Sequence, residues 1–126
     1  MATIKSFTSV EQSRKLAEIL PLESADMSWV SIGLGKPFAR TRPIKGDPEE
    51  FCACWSLAAL LEQLPYEVVD DDGNSVYLQM NKEDDMYQLV YEDPHGDFES
   101  IETDRYEHFV DACYELILKL HELKML

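Results

Sequence analysis

The chain has 126 residues, 45% of them hydrophobic, and its 25 Asp/Glu against 11 Lys/Arg give a formal net charge of −14. That size suits one domain able to bury roughly two-thirds of its unfolded surface, and that charge argues against sequence-independent binding to DNA or RNA, whose phosphates demand clustered Lys and Arg. The longest uncharged apolar stretch, Phe51 to Leu61, is too short to cross a bilayer and contains Ser56.

The charge is unevenly spread. Residues 1–46 carry seven Lys/Arg and four Asp/Glu, whereas residues 47–126 carry four and twenty-one, a net of +3 followed by −17. A field of one sign repels nucleic acid and membrane surfaces and attracts basic proteins. The first six residues hold one Lys with no apolar run of signal-peptide length behind it, so a cytoplasmic location is expected. Cys52, Cys54 and Cys113 are an odd set in a chain large enough to do without staples, and reduced thiols in a core are the expectation.

Taken in order, Thr8-Ser9-Val10-Glu11 has the form of a capping box, and Val10, Ser13, Leu16, Ala17 and Leu20 follow at helical spacing until Pro21. Residues 23–46 read mostly as loop, with Trp29, Val30 and Ile32 as a short strand before the Gly33-Leu34-Gly35-Lys36-Pro37 breaker. Lys36, Arg40, Arg42 and Lys45 make this loop basic, and no acid lies between Asp26 and Asp47. Asp47-Pro48-Glu49-Glu50 predicts a second helix, capped by Asp47, closed by Pro65 and apolar over most of its circumference.

Beyond Pro65 the period changes to two. Val68-Val69, Val76 to Met80, Tyr87 to Glu92 and Phe98 to Ile101 read as strands, with turns at Asp70-Asp71-Asp72-Gly73-Asn74 and Asp93-Pro94-His95-Gly96. Asp104 with Glu107 suggests another helix start, followed by Tyr106, Phe109, Val110, Cys113, Leu116, Ile117, Leu120 and Leu123 at helical spacing. The expected fold class is α+β in two layers: an antiparallel meander of about four strands with helices packed on one face, in the order α-α-β-β-β-β-α, all in a single domain spanning 1–126.

No constellation carries a catalytic, metal or cofactor signature. Asp70 to Asn74 fails the EF-hand spacing, because counting back from Gly73 as the sixth residue puts Val68 first and Gln79 twelfth. His95 among Asp93, Asp97 and Glu99 reads as an exposed turn histidine, and His108 with Asp104 and Asp111 as a surface ion-pair cluster. On a helix, Cys52 and Cys54 would point about 200° apart, which denies them a redox or zinc pair. Gly33-Leu34-Gly35-Lys36 lacks the spacing of a phosphate-binding loop.

What remains is the acidic surface. Residues 70–104 hold twelve Asp/Glu and one Lys, interleaved with Tyr77, Tyr87 and Tyr91. Asp70, Asp71, Asp72, Glu83, Asp84, Asp85, Glu92 and Asp93 are the candidate partner-binding residues, and the three tyrosines serve either that surface or the core face of the sheet.

Thr8 to Ser13 with Leu20 to Met27, Cys54 to Leu61 and Asp111 to Leu116 resemble blocks of a family of small acidic proteins from phages and mobile elements of gut anaerobic bacteria. The resemblance covers about a quarter of the chain. It implies a phage or mobile-element setting and brings no activity or residue role with it.

The expected function is a non-enzymatic cytoplasmic interaction protein, without cofactor, that engages a basic protein surface. A narrower form is a DNA mimic that occupies the basic groove of a nucleic-acid enzyme. The competing reading is a small enzyme or ligand-binding domain with a pocket near Trp29 or Trp55. A homodimer would cover open sheet edges.

Overall fold

The computed structural model describes residues 4–33, 35–70, 72–94 and 101–126. Ser9, one residue after Thr8, caps the first helix, α1 (Val10–Ala17): its side chain accepts from the Gln12 N–H while the Gln12 side chain accepts from the Ser9 N–H. Thr8 is instead fully buried. Its N–H donates to the Trp55 carbonyl at 3.0 Å, and its hydroxyl lies 2.7 Å from Ser13 Oγ and accepts from the Trp55 N–H at 3.2 Å. A buried hydroxyl needs such partners, so Thr8 serves the tertiary fold and leaves the cap to its neighbour.

After a short 3₁₀ turn at Leu22–Ser24 come three strands, β1 (Met27–Val30), β2 (Phe38–Thr41) and β3 (Glu50–Cys54), in an antiparallel sheet of order β2-β1-β3. This corrects two sequence expectations. The short strand expected at Trp29 and Val30 is β1, but segment 23–46 supplies a second strand, β2, where loop is expected, and Glu50–Cys54 is a strand where the second helix should run. Trp29 pairs with Cys52 and Val30 with Glu50, so Phe51 is an extra, bulged residue and is exposed. The helix α2 is confined to Leu57–Gln63, with Ser56 as its N-cap accepting from the Ala59 N–H.

A second antiparallel sheet follows, of order β4-β5-β6-β7: β4 (Glu67–Val69), β5 (Ser75–Glu83), β6 (Met86–Glu92) and β7 (Ile101–Glu102). The last helix, α3 (Phe109–Glu122), has His108 as its N-cap with no side-chain cap. Asp104 and Glu107 therefore do not form the expected capping box; the chain there is still strand-like, with Tyr106 bridged to Tyr87. The observed order is α-β-β-β-α-β-β-β-β-α, with two sheets in place of a single meander.

Helix α1 packs against β3, and α3 packs against α2 and β6. One contiguous core joins Leu16, Leu20 and Trp55 to Leu60, Val76, Leu89, Tyr91, Val110, Leu116, Ile117 and Leu120. Trp55 in this core is fully buried, with its indole Nε1 donating to Ser24 Oγ at 2.9 Å.

The free edge of β2 is short. The Arg42 N–H donates to the Asp26 carbonyl, so by antiparallel alternation the backbone groups of 39 and 41 point outward, as do those of 37 and 43. Both flanking positions are proline, which has no N–H to offer an added strand.

Candidate functional site

The alternation of β5 and β6 sorts the acidic region into faces. Val68, Val76, Leu78, Tyr87, Leu89 and Tyr91 turn toward the core. In the register Glu67↔Tyr77↔Glu92, with Val90↔Glu102 beside it, the opposite parity puts Glu67, Tyr77, Glu92 and Glu102 on the outer face, away from that core, together with Val90, which is itself buried. The three tyrosines are therefore split: Tyr87 and Tyr91 belong to the core side and Tyr77 to the outer face. Tyr91 is fully enclosed; burial pushes its phenol up, and its hydroxyl donates to the Pro65 carbonyl at 2.6 Å.

The candidate acids fall into two groups at opposite ends of this sheet. Glu83, Asp84 and Asp85 form the tip of the β5–β6 hairpin. Asp84 and Asp85 have φ of 52° and 61°, the left-handed geometry of a two-residue hairpin turn, which Asp tolerates better than most residues. At the other end, Asp70 Oδ1 accepts from the N–H groups of Asp72 at 3.0 Å and Asn74 at 2.8 Å, so its carboxylate holds the β4–β5 turn together. Asp72 is exposed beside it, and Glu92 and Asp93 close β6 at the same end. Asp71 lies outside the described residues, as do His95, Asp97 and Glu99. The nine residues of β5 separate the two groups by about 26 Å at roughly 3.3 Å per residue.

Sequence reasoning passed over Tyr66, Glu67 and Glu102. Parity was the available signal, since an inward Val68 makes Glu67 outward. Glu67 is exposed, and its Oε1 accepts from Ser75 Oγ at 2.6 Å. The Tyr66 ring packs on Tyr77 with centroids 5.5 Å apart and planes 51° to each other.

The basic loop turns inward on its own sheet. Arg40 donates to both Asp47 oxygens, at 2.6 and 2.7 Å, and this fork holds the Asp47 carboxyl below its ordinary range. Arg42 pairs with Glu50 at 3.1 Å and also donates to the Leu22 carbonyl at 2.6 Å. Asp47 and Glu50, expected to open a helix, are thus the counter-charges of the two arginines. Counted by structural half, residues 1–56 hold seven Asp/Glu and seven Lys/Arg, while residues 57–126 hold eighteen and four. The whole net charge of −14 sits on the half that carries α2, the second sheet and α3.

Neither tryptophan lines the grooves at Arg42–Gly46 or beside Tyr87. Trp29 is half-buried, with its Nε1 donating to the Thr8 carbonyl at 3.1 Å and its ring edge-on to Phe7 at 5.7 Å. A groove of about 450 Å³ lies elsewhere, between the hairpin tip and the start of α3, where Tyr87 and Phe109 stack with centroids 5.3 Å apart and Lys82 sits 5.1 Å over the Tyr87 ring. Lys5, Asp85, Glu107 and His108 also line it. His108 is thus a groove residue and helix cap, and Asp111 accepts from Lys5 and Gln12.

Cys52 and Cys54, on a strand, share one face and are both buried, as is Cys113. Burial raises all three thiols above their ordinary range. Among the described residues, no group of three His, Cys, Asp or Glu is placed to hold a metal ion, and no helix is long and apolar enough to cross a membrane. Comparison with protein-family models, with curated proteins and with solved structures gives no match.

Proposed function

We propose that the chain is a non-enzymatic protein-interaction module of phage or mobile-element origin, acting in the cytoplasm, whose acidic second sheet engages a basic surface of a partner protein. The observation that carries this reading is the division of charge: the first half is neutral and pairs Arg40 and Arg42 internally, and the second bears the entire −14. A surface of that kind steers a cationic partner and disfavours nucleic acid and anionic membranes. A DNA mimic is the narrower form of the same idea.

Affinity capture from cell lysate at low and high salt, with wild type beside a variant carrying Glu83→Gln, Asp84→Asn, Asp85→Asn and Glu92→Gln, tests it. Basic proteins held by wild type, lost from the variant and released by salt, are the expected result. Equal capture by both chains overturns the reading.

A second reading, ligand binding, is favoured by the Tyr87–Phe109 groove, whose volume of about 450 Å³ falls in the range of small-molecule sites.

A further inference from the structure

We infer that Tyr66 and Tyr77, with Glu67 and Glu92, form a docking point for an arginine side chain of the basic partner; this rests on the interaction reading above and specifies where on the acidic surface the contact is made. Tyr66 is 73% exposed, an unusual position for an aromatic ring, and it leans on the half-buried Tyr77. Tyrosines placed this way are the residue type that dominates interface energies, because they bury a large area with little loss of rotamer freedom. The two rings meet at 51°, so an approaching planar group finds one ring face open and a second ring bracing it.

The charge around the pair favours a cation. Glu67 and Glu92 lie directly across from Tyr77 on its two neighbouring strands, and opposed side chains start only about 4.5–5.5 Å apart. Ser75 Oγ holds Glu67 Oε1 on this face. The basic residues of this half lie elsewhere: Arg105 is with Glu83 at the far tip, Lys82 is over Tyr87 on the opposite face, and Lys119 and Lys124 are in and just beyond α3. Lys82 on Tyr87 shows the same cation-on-ring chemistry satisfied within the chain, while Tyr66 presents an exposed ring.

Arginine fits better than lysine. Its guanidinium is planar and weakly hydrated, so it stacks on a phenol ring and still donates in the ring plane to a carboxylate beside it, whereas an ammonium is a compact, strongly hydrated charge. Strand addition along β4 is the less suitable mode. The Leu78 N–H donates to the Tyr66 carbonyl, which puts the outward backbone groups at 67 and 69 and leaves Pro65 next in line without an N–H. Docking is through side chains.

The test uses the full chain with two fluorescent probes, an acetylated tetra-arginine amide and its tetra-lysine counterpart, at low salt. Wild type is expected to bind the arginine peptide more tightly and to show shifted Tyr66 and Tyr77 ring signals by NMR. Tyr66→Ala should weaken the arginine peptide at least fivefold and the lysine peptide less than twofold. Glu67→Gln with Glu92→Gln should weaken both peptides. The tip variant Glu83→Gln, Asp84→Asn, Asp85→Asn should change the arginine peptide by no more than twofold. If the tip variant loses binding and Tyr66→Ala does not, or if all variants lose both peptides alike, the docking point is overturned while the acidic-surface reading stands. If wild type binds neither peptide, both fall.

Discussion

Lys5 Nζ lies 2.6 Å from Asp111 Oδ1, joining residues 106 positions apart, and Gln12 Nε2 reaches the same oxygen at 2.8 Å. Through this carboxylate the N-terminal segment and α1 are tied to α3. The side chains of Lys5 and Asp111 are 28% and 22% exposed, so the pair is less screened than an ordinary surface bridge.

Asp111→Ala is therefore expected to destabilise the fold by about 1–2 kcal/mol, the range of a charge-assisted bond discounted for partial exposure. Burial acts to raise the Asp111 carboxyl, but Lys5 and Gln12 outweigh it and hold it below its ordinary range. The folded chain thus binds that proton less readily than the unfolded one. Its contribution is complete above the ordinary carboxylate range and is lost as pH falls toward the lowered folded value. Urea midpoints of wild type and variant at neutral and acid pH should converge on acidification.

The Asp84-Asp85 turn carries two adjacent charges in left-handed geometry. Asn-Gly is the favoured pair for such a turn, so Asp84→Asn with Asp85→Gly should stabilise the chain by about 0.5–1 kcal/mol. A raised thermal midpoint is the expected reading; a lowered one would show that the carboxylates hold the turn.

Trp55 fills the core fully buried. Trp55→Ala should cost about 3–5 kcal/mol. Ser24→Ala, which leaves the Trp55 indole N–H without its partner at 2.9 Å, should cost about 1–2 kcal/mol. Denaturant unfolding followed by circular dichroism measures both.

All three cysteines are buried, and burial pushes the Cys113 thiol up to about 12. The thiolate is the reactive form, so native protein should resist a thiol-specific reagent at neutral pH and react with three equivalents once unfolded. Cys52, at 9% the most exposed of the three, should react first if any reacts in the native state.

The sequence by itself determined α3 and the β5–β6 hairpin, and it did so for a local reason. Apolar spacing at Val110, Cys113, Ile117 and Leu120, and alternation through Val76, Leu78, Leu89 and Tyr91, each satisfy one period only. Local chemistry also determined Ser56 as a cap, although the apolar run on both sides of it obscured the signal. The tertiary structure decided the rest. Phe51 to Trp55 is apolar all round and reads as part of the second helix; pairing with Met27–Val30 makes Glu50–Cys54 a strand, and no local pattern reveals a partner twenty or more residues away. Thr8 and Ser9 both suit a helix cap, and the Trp55 backbone claims Thr8. The candidate acids look like one cluster along the chain. The length of β5 sends them to opposite ends of the sheet, and parity brings Glu67 and Glu92 to either side of Tyr77, because neighbours across strands are set by register and not by distance in sequence.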